Sequence, residues 1–416
     1  TVLAATHAAC ALFCDDDTVV LAVIDESAGA DEIWVREPIR TFNDLVGKRI
    51  AFADRSVSHA MLLEILSFLE LRQQVTLVPA KTVDDALDAF KAGQADAVVA
   101  WQPNTLQKLT VPGGGTVPGV RKLTDTGRFR LVLDLLIANR RWVESSPAAA
   151  QALVDGWFAA LKAMQENPDG FAATLARSID PSWSGVRNGE DLKEQLAVLA
   201  QATLAQNRLA LEDPGLLAGR IAEVRRLWSA EGLQPPATEP RRLIDNRFVL
   251  RANENQALVA SAPPVNPTFT LASRIRMPRL SEEELGRART VAQLPVERIE
   301  FEPDSFVIRP VSRQQLDGIA DLLRRTPGLY LQIEGRAAKP RGEPPQETID
   351  LARDRGNAVW AYLSTQPGLD PNRLLVTWPK TDAELRERLR FYDSAFEREL
   401  EQDRIVLFTL VEPAGR

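Results

Sequence analysis

The segment "ADRSVSHAMLLEI" places three polar side chains, Ser56, Ser58 and His59, between a short apolar run and a helical pattern. The first N–H groups of a helix have no intrahelical acceptors, and the positive end of the helix dipole attracts an anion to them. We therefore expect Ser56, Ser58 and His59 to be ligand-binding residues for an oxyanion, with Ser58 as its direct contact. Near that end of the dipole His59 stays neutral and serves as a hydrogen-bond donor. The alternatives are that Ser58 is only an N-cap and that His59 makes a core or cap contact.

Two further positions could contribute to the same binding site. Ser27 opens the stretch "SAGAD", whose small residues would let backbone donors approach a ligand, although an ordinary turn is the alternative. Trp101 ends the apolar run "ADAVVAW" and could form a wall of the site or pack into the core. We expect Ser27 and Trp101 to be ligand-binding residues.

Composition excludes several other kinds of chemistry. The 50 basic and 57 acidic residues give a net charge of -7, which does not favour nucleic acid. His7 and His59 are far apart, and Cys10 and Cys14 cannot complete a tetrahedral metal site alone, so we expect no metal and no cofactor. The two cysteines are interpreted as small buried apolar residues rather than as a disulfide.

The order of apolar runs predicts an α/β protein with two modules. Short strands alternate with helices over 18–140, which indicates βαβ units and a largely parallel sheet, and the following residues are mostly helical. Proline-rich stretches between 233 and 297 predict an extended linker with one short helix near 281–290. A smaller βα unit follows, beginning with the strand "RIEF" and ending with the strand "RIVLFTLV".

The first module resembles the type II periplasmic solute-binding proteins of ABC importers, in the branch that takes nitrate, sulfonates and taurine. The resemblance rests on "DLVGKRIA", the Ser-rich turn with His59, "AGQADA" and "WQP", and it covers residues 1–235. It implies a two-lobed module, a small anionic solute, an ABC permease as partner and a periplasmic location. Family members begin with a strand, a helix and a strand that precede the first elements here. We therefore expect an incomplete first lobe and an N-terminally truncated chain, with a signal or membrane anchor upstream.

After the linker, 236–296, residues 297–416 resemble the OmpA C-terminal-like domain, a βαβαβ module that binds peptidoglycan. The resemblance rests on "FEPDS", "IEG", "LARDRGNAVWAYL" and "GLDPNR". It implies that Arg355 binds the carboxylate of a diaminopimelate side chain, while Ala338 stands where the family has the aspartate that binds its ammonium group. Glu343 or Glu347 could compensate for that aspartate.

Two further statements concern the arginines of this helix, an alternative for Arg355 and an expectation for Arg353. Arg355 could instead form a structural ion pair with Asp350 or Asp354. Arg353 is expected to face solvent, as one side of a surface helix does.

Together these observations predict a non-catalytic envelope protein that captures a small anion by lobe closure and is tethered near the peptidoglycan. One alternative is a structural or adaptor protein in which both the binding lobe and the peptidoglycan site are degenerate. A second alternative is enzymatic, because the same fold hosts synthases of thiamine precursors that use a histidine. That reading would require a reactive partner for His59.

Overall fold

The computed structural model describes residues 2–111, 115–179, 186–259, 269, 271, 276–295, 299–302, 305–337, 345–381, 383–384 and 406–414. The chain is a mixed α/β protein, as predicted. It divides into two compact units, one formed by Thr1–Ile39 with Leu45–Ser273 and the other by Arg40–Asp44 with Arg274–Arg416. No helix within the described ranges combines the length and the apolar character that a membrane span needs.

The first unit contains two main sheets surrounded by helices. Its strands are β1 (Val2–Thr6), β2 (Thr18–Ser27), β3 (Asp31–Arg36), β4 (Arg49–Ala53), β5 (Thr76–Ala80), β6 (Ala97–Trp101), β7 (Thr110–Val111), β8 (Gly115–Thr116), β9 (Val120–Asp125), β10 (Leu133–Asn139) and β11 (Leu199–Gln201). Its helices are α1 (His7–Phe13), α2 (Val57–Phe68), α3 (Val83–Lys91), α4 (Asn104–Leu109), α5 (Arg140–Ser145), α6 (Pro147–Glu166), α7 (Pro168–Ala176), α8 (Gly189–Ala197), α9 (Leu204–Glu212), α10 (Gly215–Ala230), α11 (Arg247–Ala252) and α12 (Gln256–Val259). Short 3-10 helices cover Arg72–Gln74 and Pro240–Leu243, and a further one, Phe42–Leu45, has its first three residues in the second unit.

The two main sheets differ in strand direction. The first has the order β1-β10-β2-β11 with antiparallel pairs throughout, and the second has the order β5-β4-β6-β3-β9. In the second sheet β4 pairs parallel with β5 and β6, whereas β3 pairs antiparallel with β6 and β9. The prediction of a largely parallel sheet is therefore wrong. The chain leaves the first sheet after β2 and returns in β10, which pairs antiparallel with β2.

Each sheet has its own apolar core. The first packs its strands against α1, α6 and α10, and the fully buried Trp228 lies in this cluster. The second sheet packs on α3, whose Leu87 and Phe90 are fully buried. Alternating burial along α3 follows from its helical spacing of apolar residues. Each of the two sheets, together with the helices packed on it, therefore forms a lobe with its own core.

Residues that sequence analysis assigned to the linker are folded in part. Helices α11 and α12 lie between 236 and 296, and Phe248, Val249, Leu258 and Phe269 are buried in the core of the first sheet. Proline density marks breaks between elements, but it does not prevent short helices from burying apolar side chains. The predicted short helix near 281–290 is confirmed as Glu282–Gly286.

The second unit is a four-stranded sheet with two long helices. Its strands are β12 (Arg289–Gln293), β13 (Tyr330–Gly335), β14 (Leu374–Thr377) and β15 (Val406–Glu412), in the order β12-β15-β13-β14. Its helices are α13 (Glu282–Gly286), α14 (Pro310–Arg325) and α15 (Pro345–Ser364), with a 3-10 helix at Pro371–Arg373. The predicted last strand is confirmed as β15. Of the predicted strand "RIEF", residues 299–301 contribute only an isolated bridge between Phe301 and Ile308, so that expectation is wrong.

Helix α15 lies close against the end of β13. A Cβ at Gly335 would overlap the carbonyl oxygen of Ala352, and one at Gly356 would lie 2.8 Å from a methyl of Val376. Glycine at both positions therefore permits this approach. The buried Arg373 supports α14 by donating to the backbone carbonyls of Leu323, Thr326 and Leu329 near its C-terminal end.

Candidate functional site

The turn between β4 and α2 is shaped by Ser56. Arg55 precedes it with a left-handed backbone, at a φ of 52°. The Ser56 hydroxyl donates to the Ala53 carbonyl at 2.6 Å and accepts from the His59 N–H at 3.4 Å. Ser56 is therefore the N-cap of α2, and the alternative that gave this role to Ser58 is wrong.

Ser58 lies in the first turn of α2 with a completely buried side chain. Its hydroxyl has no hydrogen-bond partner in the described part of the chain. The N–H groups of Val57 and Ser58 also have no intrahelical acceptor at this end of the helix. A buried hydroxyl without a partner loses free energy, about 1 to 3 kcal/mol, which a bound acceptor or water would restore.

His59 is a buried neutral imidazole. Its ring centre lies 4.4 Å from that of Phe52 and 5.0 Å from that of Trp228. Burial lowers the pKa of His59, and the nearby Asp54 carboxylate opposes that shift only in part. Nδ1 lies 3.2 Å from the Arg55 nitrogen, whose N–H it can accept, and 3.3 Å from an oxygen of the Asp54 carboxylate. Within the described ranges Nε2 has no hydrogen-bond partner.

Trp101 ends β6 at the edge of the second sheet where α2 also begins. Strands β4 and β6 are parallel, with Phe52 opposite Val99, so the start of α2 and Trp101 both follow carboxyl ends of adjacent strands. The antiparallel β3 begins there too, with Asp31 opposite Trp101. The Trp101 side chain is half-buried and packs against the core of the second sheet. Ligands of α/β sheets bind at this kind of edge.

Two chain segments connect the sheets, and we call them together the crossover: residues 28–30 between β2 and β3, and residues 126–132 between β9 and β10. The buried hydroxyls of Ser27 and Thr126 lie 2.7 Å apart and link the two segments. The Thr126 hydroxyl also accepts from the N–H groups of Gly29 and Asp31, at 3.0 and 3.2 Å. In the structure Ser27 thus stabilises the connection between the sheets.

Sequence analysis missed a set of buried carboxyl groups beside the crossover. Burial raises the pKa of Asp31 to about 7, although the Ser27 hydroxyl lowers it in part. Asp25 and Asp134 face each other across β2 and β10. The signal in the sequence is an aspartate at the end of a buried apolar run, as in "VVLAVID" and "LVLD".

Arg355 lies between two segments of the second unit. It is 3% exposed, and it donates from Nε to the Ser305 carbonyl at 3.2 Å and from Nη1 to the Arg336 carbonyl at 3.3 Å. Its guanidinium carbon lies 5.1 Å from the Phe301 ring centre. Arg355 therefore lies beside the turn that follows β13, and its predicted binding of a ligand carboxylate stays a prediction.

The neighbouring acids of α15 pair with Arg353. Asp350 and Asp354 lie 2.9 and 3.0 Å from the guanidinium of Arg353. These are the two acids that the sequence analysis considered as ion-pair partners of Arg355. Arg353 is ion-paired at the surface, not merely solvated as expected. Ala338 and Glu343 lie outside the described residues, and Glu347 is exposed in the first turn of α15.

Comparisons with known proteins match two separate parts of the chain. Residues 18–171 match the model of the family described as NMT1/THI5 like, and residues 300–384 match the OmpA family. The "Putative aliphatic sulfonates-binding protein" of Escherichia coli (strain K12) is 33% identical over 144 residues, which are 33% of this chain and 42% of that protein. The chain thus matches less than half the length of that relative.

Two solved structures match part of the chain. The alkanesulfonate-binding protein SsuA from Xanthomonas axonopodis pv. citri, bound to MOPS, is 22% identical with a TM-score of 0.42, over 59% of this chain and 80% of that one. The periplasmic aliphatic sulphonate binding protein SsuA from Escherichia coli is 23% identical with a TM-score of 0.42, over 56% and 75%.

The fold and the two family matches describe a two-module protein of mixed α/β class, with the candidate residues Ser58 and His59 buried in the first module and Arg355 buried in the second. The first module is similar to the NMT1/THI5 like family over residues 18–171, and the C-terminal module is similar to the OmpA family over residues 300–384. Both resemblances found in the sequence are thereby confirmed.

Proposed function

We propose that this protein is a non-catalytic solute-binding protein of the cell envelope that captures a small oxyanion and is held near the peptidoglycan by its OmpA domain. The observation that carries the proposal is the start of α2, where the Ser58 hydroxyl and His59 Nε2 are buried without partners in the described chain. These donors follow strand β4 at the edge where β6 also ends. The crossover lies beside the same edge.

The chemistry of this edge favours an anion with several acceptor oxygens. The N–H groups of Val57 and Ser58 and the Ser58 hydroxyl can donate, as can His59 in its Nε2–H tautomer, and the dipole of the 12-residue helix adds positive potential. A sulfonate presents three acceptor oxygens on one atom and stays ionised at every physiological pH. The similarity to a sulfonates-binding protein supports this choice. Closure of the sheets about the crossover would bury the anion, and an ABC permease is its partner in this proposal.

Calorimetric titration of the full chain with alkanesulfonates, sulfate and nitrate tests the solute. We expect binding of a sulfonate, weakened about tenfold in Ser58→Ala, because one hydrogen bond to a charged group contributes about 1.5 kcal/mol. Ser67→Ala is the matched control, since Ser67 is exposed near the other end of the same helix. Absence of heat with every anion would contradict the proposal, as would equal loss in both variants.

The tethering role rests on Arg355. Its guanidinium lies beside the turn after β13, where a ligand carboxylate could replace or join its backbone acceptors. The disulfide between Cys10 and Cys14 supports a periplasmic location, because such bonds persist in oxidising compartments. Sedimentation with purified peptidoglycan should pellet the protein, and Arg355→Ala should reduce this while Arg353→Ala, on the same helix, should not. Equal pelleting of all three proteins would count against a role for Arg355.

A second candidate function is that of a structural or adaptor protein whose first module binds no solute. It is favoured by the burial of both candidate donors, since Ser58 is fully covered and His59 is 5% exposed and packs on Trp228. A solute would reach them only after the side chains around α2 move. No heat in calorimetry, with no protection of α2 amides from hydrogen exchange by any anion, would favour the adaptor.

A further inference from the structure

Helix α2 contacts both lobes of the first unit. It connects β4 to β5, two parallel neighbours of the second sheet, so it belongs to the second lobe. Its side chains Ala60 and Leu63, however, are buried in the apolar cluster of the first sheet. That cluster also contains Trp228 of α10. The two lobes therefore meet along α2 and α10 as well as at the crossover.

Two ion pairs cross this contact between the lobes. Arg72 lies in the 3-10 helix between α2 and β5, and Glu231 is the residue that ends α10. Nε and Nη2 of Arg72 donate to the two carboxylate oxygens of Glu231, at 2.6 and 2.7 Å. Arg220 of α10 lies 3.0 Å from the carboxylate of Glu64 on α2. The two-point geometry of the first pair fixes the orientation of its side chains and strengthens it.

The two ion pairs differ in burial. The side chains of Arg220 and Glu64 are 13% and 1% exposed, and Arg220 also donates to the Leu131 carbonyl of the crossover at 3.0 Å. Separating charges this deeply buried is costly, so we expect this contact to persist while the unit is folded. The side chains of Arg72 and Glu231 are 34% and 19% exposed, and water can replace each partner at small cost. The Arg72–Glu231 pair is therefore the one that can open.

The candidate site lies on the same helix. The ring centre of Trp228 on α10 lies 5.0 Å from that of His59 on α2. The Trp228 indole also donates from Nε1 to the Ala8 carbonyl of α1 at 3.3 Å, which fixes the ring to the first lobe. Movement of α2 away from α10 therefore uncovers His59, whereas Trp228 stays with the first lobe.

We propose that the Arg72–Glu231 ion pair is a latch that keeps the two lobes of the first unit together, and that its release lets α2 part from α10 while the Arg220 contact at the crossover persists. The latch is closed without a solute, so it opposes the opening that uncovers the candidate site. An effect on solute entry rests on the proposed function, whereas the parting of the helices requires no solute.

Thiol labelling of the ligand-free full chain measures the parting directly. Ala60→Cys places a thiol on α2 where it packs on the first lobe, and Ala86→Cys places one on α3 inside the core of the second lobe. The two native cysteines are joined in a disulfide, so the new thiol is the one that reacts. The thiol at position 60 becomes accessible when the lobes part, whereas the thiol at position 86 requires unfolding of its lobe.

Arg72→Gln should raise the labelling rate at position 60 by about threefold, the size expected for a partly exposed ion pair, and leave the rate at position 86 unchanged. Arg49→Gln is the matched control. Arg49 donates from Nε and Nη2 to both carboxylate oxygens of Asp96, at 3.1 and 3.0 Å, but this pair lies within the second lobe. It should therefore leave the rate at position 60 unchanged.

Two further measurements separate a latch from general stability. Exchanging the charges, with Arg72→Glu and Glu231→Arg together, should restore slow labelling at position 60. Raising the salt concentration should speed labelling there when Arg72 is present and do so less in Arg72→Gln, because salt screens a partly exposed pair.

The proposal is overturned if Arg72→Gln leaves the rate at position 60 unchanged, or if it raises the rates at positions 60 and 86 equally. If Ala60→Cys fails to fold, Leu63→Cys on the same side of α2 gives the same readout. Because no solute is present, failure here leaves the calorimetric test of function unaffected.

Discussion

The hydroxyl of Thr126 should be the strongest single support of the crossover. Its side chain is fully buried, contacts the Ser27 hydroxyl at 2.7 Å and accepts the Gly29 and Asp31 N–H groups. Thr126→Val keeps the shape of the side chain but leaves the Gly29 N–H and the Ser27 hydroxyl without this partner. A buried polar group that loses its partner costs about 1 to 3 kcal/mol, so we expect a loss of about 2 to 4 kcal/mol in the unfolding free energy.

Thr126→Ser is the matched control because it keeps the hydroxyl and removes one methyl group. Loss of that buried methyl should cost about 1 kcal/mol. The difference between the two variants therefore isolates the hydrogen bonds from the packing.

Hydrogen exchange followed by mass spectrometry across a urea series measures these losses in the full chain. Peptides from β2 and β10 report the first unit, and peptides from β13 serve as an internal reference in the second unit. The reasoning fails if the valine variant loses no more than the serine variant, or if the loss is below about 0.5 kcal/mol, as for an ordinary surface change.

Three other outcomes are expected. Gly335→Ala should destabilise the second unit by more than about 3 kcal/mol in urea denaturation, because the new Cβ meets backbone, whereas Gly318→Ala, in open space on α14, should stabilise it by about 0.5 to 1 kcal/mol. Reduction of the Cys10–Cys14 disulfide should lower the stability of the first unit by about 2 kcal/mol, the loop-entropy value for so short a loop, and unchanged exchange in α1 after reduction would contradict this. Burial lowers the pKa of His59, so the first unit should lose stability as the pH falls below about 6.5, and an equal slope in His59→Gln would show that another group is responsible.

Local patterns predicted much of each module correctly. The apolar periodicity around His59 located α2. The OmpA motif placed Arg355 on a helix, which is α15. These features depend on neighbouring residues, whose spacing alone decides which side of a helix or strand is apolar.

Other local expectations failed because packing decided them. The two cysteines are buried, as expected, but they form a disulfide, since the end of α1 brings their Cα atoms to 4.7 Å. Residues 247–259 were assigned to a linker, yet their apolar side chains complete the core of the first sheet. Short helices of this kind owe their stability to tertiary contacts and not to propensity.

Residues a few positions apart were enough to predict the α/β class, the two modules and the presence of helix α2, because each follows from a local pattern. Only the tertiary structure decided that Ser27 bonds to Thr126, 99 positions away, and that Asp25 faces Asp134. Strand register has a period of two residues and depends on the packing of the whole sheet, so a shift of one residue would separate these side chains. The chemistry of the crossover therefore exists only in the folded chain.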